Sequence, residues 1–163
     1  MAEALLADCL ERPLPSADWS ECLAELAHRM RAALLGRRDG ARVYAGTHST
    51  GRHTLGFADT LIGVLREADF APDDAARAAL AVVHFTLGHT LEEQAALQIA
   101  GDGPADPDRL RAAVTPAQYP HLAPALPVLT STDFAAHFTF GLRLLLEGLR
   151  ATGPGPMPPP TGS

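Results

Sequence analysis

Lysine is missing from this 163-residue chain: all 13 basic side chains are arginine, set against 19 acids for a net charge of −6. An acidic chain with scattered arginines lacks the basic face that nucleic-acid binding requires, so DNA contact is not expected from these residues alone. Cysteine is scarce as well. Cys9 and Cys22 have no metal-ligand spacing and form no framework; a bridge between them stays open on number alone, but a reduced pair fits the composition better. No run of about 18 apolar residues occurs, which excludes a membrane-spanning helix. No cationic segment followed by an apolar stretch opens the chain, so no signal peptide is expected, and the protein reads as cytoplasmic.

Hydrophobic residues make up 47% and charged residues 20%, a globular balance. The 14 prolines and 14 glycines cluster, and Leu and Ala dominate the stretches between them, with few β-branched runs. That pattern predicts an all-α fold. Ala2 to Leu10 read as a short helical piece ending before Pro13. Asp18 is placed to cap a helix carrying Trp19, Cys22, Leu23, Leu26, Met30, Ala33 and Leu34. Asp39-Gly40 breaks the chain, a short helix covers Ala41 to Ala45, and Thr47 to Gly51 read as a loop. Phe57, Leu61, Ile62 and Leu65 share one face of a third long helix.

Pro72 opens the longest segment, with Asp73 and Asp74 in its first turn, and the pattern carries it to about Ile99. Its centre, LAVVHFTLG, is apolar all round, which predicts burial on every side, in a core or between subunits. GDGPADP from Gly101 is a loop, Asp108 to Ala113 a short turn of helix, and Tyr119 to Val128 short helix and turn. Thr132 or Ser131 is expected to cap the last helix, with Phe134, Phe138, Leu142, Leu145 and Leu149 down one side. Gly141 and Gly148, two turns apart, permit close approach of a partner. These elements form one domain over residues 1–152, and the Pro/Gly-rich residues 153–163 read as a disordered tail.

His84 sits on a segment predicted to be buried, where satisfying a neighbour's carbonyl is the plain reading. His89 with Glu92 and Glu93 has i, i+3 and i+4 spacing that suits a metal, although a solvated or interface patch explains it more simply. His137 falls on the last helix, and His28, His48, His53 and His121 are expected on the surface or in loops.

Three stretches in order resemble the C-terminal domain of the tetracycline repressor family: Trp19 to Thr47 with the core RAALLGRRDGARVYAGT, HFTLGHTLEEQ from His84 to Gln94, and FTFGLRLLLEGL from Phe138 to Leu149. The resemblance covers nearly the whole chain and implies a helical, inducer-binding domain. It also implies a homodimer, formed as a four-helix bundle from the long central helix and the last helix of each subunit. Phe85, Leu87, His89, Phe138, Gly141, Leu142, Leu145, Gly148 and Leu149 are then expected at the dimer interface. The family's N-terminal helix-turn-helix, which contacts the operator, has no match here; Ala2 to Leu10 match only the rear of the linking helix.

The resemblance also implies an inducer pocket. In tetracycline-binding members the drug enters as a magnesium chelate held through a histidine, a threonine and a glutamate. The last two are matched by Thr47 and Glu92, which leaves Glu92 as the one candidate metal contact, but Tyr44 stands at the histidine, and a protonated phenol is a poor magnesium ligand. His48 replaces an arginine, while Asp8, Leu26 and Leu61 replace three polar drug contacts. These exchanges argue against a magnesium-chelated ligand and leave an apolar cavity lined by Leu23, Leu26, Met30, Leu61 and Leu65, with Tyr44, Thr47, His48, His84 and Glu92 as polar points. At any one aliphatic position, ordinary core is the simpler reading.

The expected function is a ligand-responsive repressor domain using no cofactor and catalysing no reaction. A stand-alone dimerisation or antirepressor module is the alternative. A small helical enzyme using His84, His89, Glu92 or Glu93 is disfavoured by the lack of any nucleophile–base pair.

Overall fold

The computed structural model describes residues 6–15, 18–45, 50–98 and 107–153. Thr47, His48, Ile99, the loop from Gly101 and the Pro-rich tail beyond Gly153 therefore lie outside the described residues, as do Ala2 to Leu5 of the first expected helix. Among the described residues there is no strand, and no helix is long and apolar enough to cross a membrane. Seven α-helices are described: α1 Trp19–Leu35, α2 Gly40–Ala45, α3 Arg52–Glu67, α4 Pro72–Gln98, α5 Pro107–Ala113, α6 Leu126–Leu129 and α7 Phe134–Thr152.

α1 starts where its sequence says it should. The Asp18 carboxylate accepts from the backbone N–H of Ser20 at 2.8 Å and of Glu21 at 3.1 Å, satisfying two of the first-turn donors. Arg150, at the far end of α7, reaches the same carboxylate at 3.2 Å and lies over the Trp19 ring. The bond from the Ser20 hydroxyl, and then the capping N–H bonds, hold the Asp18 carboxyl below its ordinary range. The start of α7 differs from expectation. Asp133, not Thr132 or Ser131, supplies the cap, accepting from Ala136 N–H at 3.0 Å.

Directly after Leu6, which is α-helical, Ala7–Leu10 form a 3-10 turn. Arg29 pins it to α1, donating to the carbonyls of Cys9, Arg12 and Pro13 at 3.1, 2.7 and 3.0 Å while pairing with Glu25. Cys9 and Cys22 are both buried thiols with no disulfide between them.

α4 is the axis of the fold, packed against α1, α2, α3 and α7. Its inner face buries Ala75, Ala78, Ala79, Val82, Thr86, Thr90 and Glu93. The expectation that this helix is covered on every side fails within one chain: Leu80 is 54% exposed, and His84 and Gly88 are also open to solvent.

Candidate functional site

Leu23, Leu26 and Met30 of α1 and Leu61 and Leu65 of α3 are brought together as expected, all fully buried against Phe57 and Val82. In this state they are packed side chains of one core. Tyr44, at the end of α2, is half-buried against that core. Burial, and then the nearby Cys9, push its phenol above the ordinary value of 10, so it is neutral and a hydrogen-bond donor. Burial likewise raises the Cys9 thiol to about 11.

Two expected polar points are not in this core. His84 is exposed on the outer face of α4, because a step of two residues from the buried Val82 carries a helical side chain to the opposite side. Glu92 is exposed as well, about two turns further along. Its neighbour Glu93 is the buried carboxylate. Arg31 grips it in a bidentate pair, Nε to Oε2 at 2.9 Å and Nη2 to Oε1 at 2.7 Å, joining α1 to α4. Sequence reasoning paired Glu93 only with His89; the i, i+4 contact exists, at 3.9 Å from His89 Nδ1 to Oε2, but the arginine is the principal partner.

Phe138 is the centre of the same region. The rings of His28, Phe85 and His89 lie 5.1, 5.4 and 5.3 Å from it, and the Arg31 guanidinium sits 5.3 Å over its face. Burial, opposed by Glu93 and aided by Arg31 and His137, lowers His89 below 6.5; His28 is lowered by burial and then by Arg31, against Glu25. The buried Nδ1 of His89 and the hydroxyl of Thr86 have no hydrogen-bond partner.

The interface expectations divide. Phe138 is 0% exposed and Leu142 2%, so within the chain both are packed into its own core. Gly141 does permit a close approach, but to Phe85 of the same chain: a Cβ there would lie 2.7 Å from the ring. Phe85, Leu87, Leu145 and Leu149 are half-buried against the core, His89 is half-buried against Phe138, and Gly148 is open with nothing within 4 Å of a Cβ. The large apolar side chains left outside on α7 are Phe140 and Leu144, 56% and 53% exposed, which the helical spacing chosen from sequence passed over.

A groove of about 340 Å³ runs between α1 and α7 over Ala24, Leu142 and Leu146, with His28 and Arg150 among its rim residues. It is separate from the cluster around Met30 and Leu61. Among the described residues no three His, Cys, Asp or Glu side chains gather to hold an ion.

Residues 12–152 match the family described as "Tetracyclin repressor-like, C-terminal domain". The chain is similar to the class A tetracycline repressor of transposon 1721 from Escherichia coli, 34% identical over 151 residues that are 91% of this chain and 67% of the relative. Among solved structures it is similar to a possible tetracycline-repressor-family transcriptional regulator from Streptomyces coelicolor A3(2). The two are 62% identical with a TM-score of 0.83, over 93% of this chain and 75% of the other. A class A repressor solved in complex with 5a,6-anhydrotetracycline and magnesium is 30% identical, with a TM-score of 0.65 over 94% and 72% of the two chains.

Proposed function

The chain belongs to the tetracycline repressor-like C-terminal domain family of repressor-type transcriptional regulators, and we propose that it senses a small, largely apolar inducer and dimerises. The observation that carries the ligand class is the set of exchanges at matched drug contacts. Tyr44 is neutral and half-buried where a metal-binding histidine stands in tetracycline-binding members, and Leu26 and Leu61 are apolar where polar groups grip the drug. A pocket opening within the α1–α3–α4 core would then be lined by Leu26, Met30, Leu61 and Leu65, with Tyr44 and Thr47 as polar points. Its mechanism would be a shift of α2, since an inducer can move the equilibrium only by preferring one position of that segment.

Calorimetry with magnesium–tetracycline beside a panel of hydrophobic aromatic compounds tests this. Each lost hydrogen bond to a buried ligand group costs about 1–3 kcal/mol, and about 1.4 kcal/mol is tenfold in affinity, so magnesium–tetracycline is expected to bind weakly. Submicromolar, magnesium-dependent binding abolished by Glu92→Ala would overturn the reading.

A further inference from the structure

Between α1 and α2 the chain reverses in four residues, and helix ends in such a corner leave carbonyls and N–H groups without intrahelical partners. Asp39 makes the reversal at φ 57°. Gly40 is pressed onto the end of α1: a Cβ there would lie 2.2 Å from the Leu34 carbonyl oxygen, so only glycine fits. Gln94 reaches into this corner from α4. Its Oε1 accepts from Ala41 N–H at 3.1 Å, and its Nε2 donates to the carbonyls of Leu34 and Arg37, both at 3.0 Å. A glutamine amide offers one carbonyl and two N–H bonds, and all three are used. One side chain thus caps the last turn of α1 and the first turn of α2 together, work that is ordinarily done by local residues.

We propose that Gln94 is a positioning residue that fixes the resting place of α2 against α4, so that movement at the C-terminal end of α4 reaches α2 through this side chain. The regulatory sense of the proposal rests on the effector-sensing reading above. The neighbour supports it: Glu93 ties the same turn of α4 to α1 through Arg31. Glutamate could not replace Gln94. It would keep the acceptor but lose both donors, and would turn a negative charge on the carbonyl end of α1.

The test is amide hydrogen exchange on the 163-residue chain, comparing wild type with Gln94→Met and Gln94→Glu, free and saturated with the apolar dye 1-anilinonaphthalene-8-sulfonate. Exchange over residues 40–45 should quicken at least tenfold in both variants, while residues 75–90 and 134–149 keep wild-type rates. Wild-type rates at 40–45, or equal acceleration in every helix, would overturn the proposal, the second because it signals a general loss of stability. Dye binding should change exchange at 40–45 in wild type and leave it unchanged in variants that bind the dye within threefold of wild-type affinity. A response that survives in the variants also overturns it. Failure of the dye to bind wild type counts against the effector reading, and the ligand-free comparison still decides the role of Gln94.

Discussion

Gly141 of α7 lies against the ring of Phe85 on α4, so close that a Cβ would come within 2.7 Å of two ring carbons. The contact holds together two helices of one chain. Gly141→Leu should therefore destabilise the folded chain itself by about 1–3 kcal/mol, the usual cost of overpacking, whatever its oligomeric state. Gly148→Leu meets nothing within 4 Å in the chain and should leave chemical denaturation of a monomer unchanged. Equal effects of the two changes on urea unfolding would contradict this assignment of the close contact.

The Arg31–Glu93 pair is buried, with side-chain exposures of 15% and 8%. Removing one partner leaves the other charge without compensation in a place that water reaches poorly. Arg31→Met or Glu93→Leu alone should cost about 3–5 kcal/mol, whereas the two changes together should recover most of that loss. Urea midpoints of the two single variants and the double variant form the cycle that checks it. Additive losses would mean that the two groups do not act as a pair.

What was legible in the sequence, and what was not, follows from the range of the interactions involved. Asp18 was readable as a cap because its partners, Ser20 and Glu21, are two and three residues away. Tertiary packing decided the rest. On α7 the spacing Phe138, Leu142, Leu145, Leu149 defines an apolar side, but Phe140 and Leu144 define another, and only the position of α4 shows that the first is inside. Glu92 and Glu93 are equivalent as text; 100° of helical rotation places one in water and the other on Arg31, 62 residues away. Gln94 finds its partners 53 to 60 residues distant, so no local pattern announces it.

Stability should fall on the acid side of neutrality. Burial lowers both His28 and His89 in the folded chain below the 6.5 of a free imidazole. Around His89 stand Glu93 and Arg31, with His137 on α7; around His28 stand Arg31 and Glu25. The unfolded chain therefore binds more protons than the folded one in this range. The stability contributed by the neutral imidazoles is complete above about pH 6.5 and is lost as pH falls through the lowered folded values. Urea titrations from pH 8 to pH 5 should show the decline, and His89→Phe should flatten part of it. A rise in stability over that interval would contradict the sign.

Apolar surface remains outside the core on both α4 and α7. Leu80 on α4 and Phe140 and Leu144 on α7 are each more than half exposed, with His84 and Gly88 open on the same side of α4 as Leu80. Covering such side chains is worth roughly 1.5–3 kcal/mol each, and a second copy of the same surface is the occupant a two-fold homodimer supplies. Phe140→Glu combined with Leu144→Glu should give a monomer in sedimentation that keeps the wild-type helical circular dichroism. Phe138→Glu should instead unfold the chain, because Phe138 is fully buried under His28, Phe85, His89 and Arg31. A wild-type chain that sediments as a well-folded monomer at micromolar concentration would remove the need for any partner on this face. A Phe140/Leu144 double variant that stays dimeric would move the interface elsewhere.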